Sequence, residues 1–296
     1  MENESRTRWA ELLDGLATKE GQSNSRMKQV RFIRVSDKCP RGPSVYEPSI
    51  VIVGQGRKIG YLGEKVYVYD QNNYLVLSVP LPFECETIAE PDRPFLAVSI
   101  DMESRVISEL LSEMDDGVSA PDEVTGIYST GLTEDLSCAV ERLLECLGSE
   151  MESRILGPQI VREITYYVLK GPQGAGLRAV VNRDSRFAQI AKVLRRMHED
   201  YSDDLDMRLL AKEANMSISA FHHSFKAVTS SSPLQYLKTI RLHKARALMA
   251  QEGLGAGSAA ERVGYSSASQ FSREFKRFFG ESPREDAAKL RRSEAG

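Results

Sequence analysis

The spacing of apolar positions along the chain changes twice. From residue 29 to residue 100, apolar and polar side chains alternate with a period close to two, as in strands with one buried face. The alternation predicts strands over Val30–Val35, Ser49–Val53, Lys58–Leu62, Lys65–Asp70, Tyr74–Val79, Phe83–Ala89 and Phe95–Ile100. Gly63-Glu64 supplies a hairpin turn, while Asn72-Asn73, the Pro80–Pro82 stretch and the Pro91–Pro94 turn separate later strands. Seven short strands at this spacing predict an antiparallel barrel or sandwich. Ahead of them, Trp9, Leu12, Leu13 and Leu16 mark a short amphipathic helix in an otherwise polar stretch. From Met102 the period becomes helical, predicting helices over Met102–Met114, Leu136–Leu147 and Ile155–Leu169. Gly171-Pro172-Gln173-Gly174-Ala175-Gly176 interrupts that pattern and predicts a linker. Phe187, Ile190, Leu194, Met197 and Tyr201 then open a second helical region. The expected fold class is α+β, with an N-terminal antiparallel β-barrel with helices (1–170), a linker (171–182) and an all-α C-terminal domain (183–296).

The C-terminal pattern repeats. Phe221, Phe225, Lys226, Ser232 and Pro233 recur fifty residues later as Phe271, Phe275, Lys276, Ser282 and Pro283. Ala211, Ala214 and Met216 match Ala260, Val263 and Tyr265 at an offset of forty-nine. Two copies are too few for a repeat array, which needs about three to bury a core. Each copy instead reads as a helix-turn-helix. In the first, a helix over Met207–Ala214 carries the small Ala211 at its crossing. Asn215-Met216-Ser217 makes the turn, and Ser217 caps a second helix whose expected buried face is Ile218, Phe221, Phe225 and Val228. In the second, Gly264 makes the turn, Ser266 or Ser267 is the cap, and Phe271, Phe275 and Phe278 form the buried face. Between the copies Ser232-Pro233 starts a long helix, with serine as cap and proline in the first turn. A helix of about eighteen residues is about 27 Å long. Such a rod can hold two reading heads near the roughly 34 Å spacing of successive major grooves.

Charge supports this division. Residues 1–182 hold 19 basic and 28 acidic side chains, net −9, and residues 183–296 hold 20 and 14, net +6. Asymmetry of this kind points to nucleic acid as the partner of the basic half. The modest +6 speaks against a non-specific architectural binder. Apolar runs fall short of the roughly 18–20 residues of a membrane span, and the start lacks the pattern of a signal peptide. Cys39, Cys85, Cys138 and Cys146 are scattered, which suits a reduced, cytoplasmic chain. Cys39, in a Pro/Gly-rich loop beside Lys38 and Arg41, is a candidate thiol sensor, whereas Cys138 and Cys146 are expected in the core.

Recognition helices place their early residues against base edges. The faces opposite the phenylalanines carry Ser219, His222 and His223 in the first unit, and Ser269, Gln270 and Arg273 in the second. Arg273 suits guanine and Gln270 suits adenine. Ser217, Lys226, Ser267, Lys276 and Arg277 are placed for phosphates. His222 and His223 point about 100° apart on a helix and do not share one metal ion readily. All four histidines lie outside the strand-rich half, so the rival reading, a barrel enzyme with an accessory helical domain, lacks imidazole ligands. No metal, cofactor or catalytic residue is expected. Tyr61, Tyr67, Tyr69 and Tyr74 either line a ligand pocket or pair across strands on an outer face.

The run S-I-S-A-F-H-H-S-F-K…S-P-L-Q-Y-L…R-L-H-K-A-R-A-L-M…A-A-E-R-V-G-Y-S-S-A-S-Q-F-S-R-E-F-K-R-F-F-G-E-S-P resembles the DNA-binding domain of AraC/XylS-type transcription regulators over Arg183 to Arg292. It departs from the family pattern at His223, where arginine is frequent, at Ser230, where glycine is frequent, and at Arg284-Glu285-Asp286, where an aromatic is frequent. The strand-rich half, with Pro48, Gln55-Gly56 and Leu81-Pro82, resembles the cupin-like N-terminal half of one branch of that family. The resemblance implies a bacterial cytoplasmic regulator, an activator acting on promoter DNA with RNA polymerase. It also implies a sensor half for a small-molecule effector and a homodimer, here through Leu136–Leu147 or Ile155–Leu169.

Overall fold

In the computed structural model the alternating segment forms one antiparallel sheet curled into a half-barrel. The structure describes residues 2–114, 125–172, 174–182 and 185–294. Gln173 and Arg183, on which the expected linker and domain boundary fall, lie outside them. The first elements are α1 (Glu2–Leu16), β1 (Gly21–Asn24), β2 (Val30–Val35), β3 (Cys39–Tyr46), β4 (Ser49–Gln55) and β5 (Arg57–Leu62). There follow β6 (Lys65–Asp70), β7 (Asn73–Leu77), β8 (Leu81–Ile88), β9 (Phe95–Asp101), α2 (Ser104–Met114) and β10 (Ile127–Gly131). The strands lie in the order β1-β2-β9-β4-β7-β6-β5-β8-β3, with β10 added on β7. The β5–β6 hairpin turns at Gly63, whose φ of 61° suits glycine.

The helical layer of this half is α3 (Glu134–Cys146), α4 (Glu150–Ile155), α5 (Gly157–Lys170) and α6 (Ala175–Val181), together with α1 and α2. Strand β4 shows how the sheet is buried. Ile50 and Ile52 join a core with Trp9, Leu13, Leu143, Ile164 and Val168 on the helix side. Val51 and Val53 alternate with them, so they point to the opposite face, and they are equally buried.

Several expectations need correction. The sheet has ten strands rather than seven, because β1, β3 and β10 were not foreseen. The Ile155–Leu169 helix is broken at Leu156: α4 ends there, and α5 begins at Gly157 with proline in its first turn. A Cβ on Gly157 would run into the Met27 side chain. The segment expected as a linker contains α6, whose Leu177 is buried in the core of the N-terminal half. Apart from Gly42–Val45 of β3, which group with the second compact unit, the chain divides after Ala188. Cys39 sits in strand β3 rather than a loop, and Cys138 is exposed while Cys146 is buried.

From Arg186 onward the described chain is helical: α7 (Arg186–Glu199), α8 (Met207–Glu213), α9 (Ile218–Thr229), α10 (Pro233–Gln251), α11 (Ala256–Arg262), α12 (Ala268–Phe279) and α13 (Pro283–Glu294). The two copies of the sequence pattern fold alike. Asn215 and Gly264 both take left-handed backbone at the turn, with φ of 53° and 83°. Ser217 and Ser267 cap α9 and α12 by accepting from the amides of Ala220 and Gln270, each at 3.3 Å. Ser230 and Gly280 end these helices in left-handed conformation. Ser232-Pro233 and Ser282-Pro283 then start α10 and α13. In α13, Ser282 and Glu285 form a reciprocal capping box.

Candidate nucleic-acid interface

Helices α9 and α12 are organised by what they bury. Phe221, Phe225 and Val228 are buried on α9, as are Phe271 and Phe275 on α12. Ile218, the first residue of α9, is exposed, contrary to expectation. Phe278 is only half-buried, edge-on to His243 at 5.5 Å and to Phe279 at 4.9 Å.

With these residues inward, the opposite faces are free. Ser219, His222, His223 and Lys226 are exposed on α9, with Ser217 exposed at its start. Ser269, Arg273, Lys276 and Arg277 are exposed on α12, whereas Gln270 and Ser267 are half-buried. Each helix therefore presents its early polar side chains and a basic last turn on one accessible face. Among the described residues no group of three or more His, Cys, Asp or Glu is arranged to hold a metal.

The linking helix α10 spans about 28 Å at the usual rise per residue. Its Arg241 ties the two helix-turn-helix copies together. The guanidinium donates to the Tyr201 carbonyl at 2.7 Å and the Asp203 carbonyl at 2.8 Å, ahead of α8. It also donates to the Gly264 carbonyl at 3.1 Å, at the turn of the second unit. Gly264 itself packs so closely that a Cβ would strike the Ser202 carbonyl.

Sequence reasoning missed one polar group. Glu274, on the inner flank of α12, accepts from Lys238 of α10 at 2.8 Å, from the Tyr265 hydroxyl at 2.9 Å and from the Gln270 amide nitrogen at 3.1 Å. Burial works to raise the Glu274 carboxyl, but the hydrogen bonds from Lys238, Gln270 and Tyr265 outweigh it and hold the group below its ordinary value. Burial, reinforced by the Glu274 carboxylate, pushes the Tyr265 hydroxyl up, so it stays a donor. The i to i+4 spacing of Gln270 and Glu274 was legible in the sequence; their partners from α10 and the turn were not.

In the N-terminal unit, Lys58 pairs across strands with Tyr69 and Thr87, and all three are buried. The Tyr46 and Tyr69 hydroxyls lie 3.2 Å apart, and the Lys58 ammonium stands 5.2 Å from the Tyr46 ring centroid. Of the four tyrosines singled out, Tyr69 and Tyr74 are buried and Tyr61 and Tyr67 are half-buried, while Val66 and Val68 face solvent. The helix α3 has no spare apolar face, since Leu136, Val140, Leu143, Leu144 and Leu147 are all in the core. Met151, Ile155 and Leu156, on α4 and its C-cap, are exposed apolar residues of this unit's helical layer, at 62%, 57% and 49% exposure. Among the described residues no helix is long and apolar enough to cross a membrane.

Comparison with known proteins agrees with this geometry. Residues 26–176 match the family described as AraC-type transcriptional regulator N-terminus, and residues 210–289 match a helix-turn-helix domain. The chain is 26% identical over 147 residues to the HTH-type transcriptional activator RhaS of Salmonella agona, an alignment covering 43% of this chain. It spans 53% of the length of that relative. The crystal structure of apo ToxT from Vibrio cholerae shares the fold, with a TM-score of 0.60 and 12% identity over 92% of this chain and 100% of that one. A structure of ToxT bound to an unsaturated fatty acid matches with a TM-score of 0.59 at 11% identity, over 88% of this chain and 93% of that one.

Proposed function

The chain belongs to the AraC-type transcriptional regulators, and on that premise we propose that it binds promoter DNA sequence-specifically through α9 and α12 and activates transcription there with RNA polymerase. The observation that carries this reading is the pair of capped helices that bury phenylalanines on one side and expose serine, histidine and arginine on the other. Ser219, His222, His223, Ser269, Gln270 and Arg273 are the base-reading set. Ser217, Lys226, Ser267, Lys276 and Arg277 hold phosphates, the serines through the free amides at their helix starts. The long α10 sets the spacing of the two heads, and Arg241 fixes their joint. The chain works as a cytoplasmic regulator rather than a catalyst.

The N-terminal unit serves as sensor and dimerisation module. Support for a small-molecule effector comes from the fatty-acid-bound ToxT structure, and Lys58, Tyr46 and Tyr69 are the candidate polar groups to meet one. A homodimer would use Met151, Ile155 and Leu156, because the leucines of α3 are already buried. The domain division is then a sensor unit ending in α6 and a DNA-binding unit from α7 onward.

Arg273→Ala is expected to cost roughly 1–3 kcal/mol of binding and to relax preference at one base position. Lys276→Ala is expected to weaken binding to all sequences and to lower the salt slope by about one. Titrating both variants against a selected site and its single-base changes, at several salt concentrations, separates the roles. Indistinguishable profiles would refute the division.

A further inference from the structure

We propose that Glu274 is a positioning residue that locks the Gln270 side chain with its oxygen outward, so that α12 selects adenine at one position of its site. The proposal rests on the reading above that Gln270 meets a base edge. It begins with three donors converging on one carboxylate. Lys238 reaches Glu274 Oε1 from α10 at 2.8 Å, the Tyr265 hydroxyl reaches Oε2 from the turn at 2.9 Å, and Gln270 Nε2 reaches Oε1 at 3.1 Å. The Glu274 side chain is only 13% exposed. A carboxylate held from a neighbouring helix, from the turn and from its own helix cannot swing away.

The chemistry of that contact orients the amide. The two ends of a glutamine amide are similar in size, and only their partners decide which is which. An ionised carboxylate accepts and never donates, so the nitrogen must face Glu274 and Oε1 must face the other way. Turning the amide over would set one oxygen lone pair against another and lose a hydrogen bond to a charged group, a penalty worth a factor of about ten or more. The low carboxyl pKa of Glu274 keeps this constraint in force at neutral pH. Among the described residues the Gln270 side-chain amide hydrogen-bonds through Nε2, to Glu274.

The outward edge is therefore an acceptor flanked by the remaining N–H of the same amide. Adenine presents the matching pair in the major groove, its N6 amine and its N7. Guanine shows two acceptors and thymine the O4 acceptor, each of which would meet the Gln270 oxygen lone pair to lone pair, and cytosine offers an N4 donor without the adjoining acceptor that the remaining N–H needs. A phosphate oxygen could accept only from the remaining N–H and would leave the outward oxygen unmatched, so a base edge that offers both groups is the better partner. Arg273, exposed three positions further along α12, offers only donors and suits guanine. The two side chains thus read opposite patterns from one helix.

The test uses the full chain and a selected binding site in which each position is changed in turn to the other three bases. Gln270→Ala is expected to relax the preference for adenine at one position by about tenfold or more. Glu274→Met, similar in length and a good helix former, is expected to relax the same position several-fold. Its affinity for unrelated DNA should hold or rise, since a negative charge leaves a DNA-facing helix. A glutamate that only supports the fold would lower affinity for all sequences alike and leave the ratio at that position untouched, which would overturn the proposal. If Glu274→Met melts early, Tyr265→Phe removes one of the three restraints while keeping the ring. It should give a smaller relaxation at the same position, and an unchanged ratio there would also overturn the proposal. Should Gln270→Ala itself change no position, base reading by Gln270 fails, a result distinct from failure of Glu274 alone.

Discussion

Arg246→Ala is expected to destabilise the C-terminal unit by about 3 kcal/mol, a large fraction of a domain stability of about 5–15 kcal/mol. Arg246 on α10 grips Asp286 on α13 through two parallel hydrogen bonds of 2.8 Å. The Asp286 side chain is 5% exposed, against 30% for Arg246. Removing the arginine leaves a buried carboxylate without its partner, the costly way to break such a pair. The loss also frees Phe279, whose ring lies 4.7 Å beneath the guanidinium. Arg246→Lys should recover only part of the stability, because an ammonium cannot reproduce the planar fork. Urea unfolding followed by hydrogen exchange in α10 and α13 reads the effect. The double variant Arg246→Ala/Asp286→Ala should be less unstable than the sum of the singles. A loss below about 1 kcal/mol for Arg246→Ala would place the anchor of α13 elsewhere.

Acid should weaken the same unit through His243. Burial, and then the Arg246 charge, lower this imidazole from its ordinary value to about 3. Its Nε2 is buried without a partner, and the ring stands edge-on to Phe278 and Phe279 at 5.5 and 5.3 Å. In the unfolded chain the group titrates near 6.5. Between those values the unfolded state takes up a proton that the folded state refuses. Stability is therefore fully present above about pH 6.5 and falls as the pH drops toward 3, by up to about 1.4 kcal/mol per pH unit. Two units of acidification below 6.5 should cost on the order of 2–3 kcal/mol from this residue. His243→Leu removes the linkage and should flatten the acid limb relative to the parent protein. Carboxylates held below their ordinary value, such as Glu274, are lost at similar acidity but are common to both proteins and cancel in the difference. Equal acid sensitivity in the two proteins would contradict the assignment.

How much of this was legible in sequence depended on whether the signal was local. The C-terminal unit announced itself because caps, turns and buried phenylalanines recur fifty residues apart, and each is a short-range feature. The seven central strands were legible from their alternation. Strand β1, Gly-Gln-Ser-Asn, is almost wholly exposed at the sheet edge and carries no apolar pattern. Strand β3 contains two prolines and a glycine, which an edge position tolerates and sequence reasoning takes for a loop. The Gly/Pro-rich stretch after Lys170 signalled an interruption, and the seven residues of α6 are too few to show a helical period after it. Asp286 stood out only as a departure from an aromatic position; its partner Arg246 lies forty residues away. The grip on Gln270 was hidden for the same reason, since Lys238 and Tyr265 come together with Glu274 only in three dimensions.

The central claim is that this chain reads DNA sequence through α9 and α12. Selecting its preferred site from random duplexes, then measuring the affinity of the full chain for that site and for a scrambled duplex at one fixed salt concentration, tests it most directly. The expected result is a selected site with two blocks about one helical turn apart, bound about a thousandfold or more tighter than the scrambled duplex. Equal affinity for the two duplexes would contradict it.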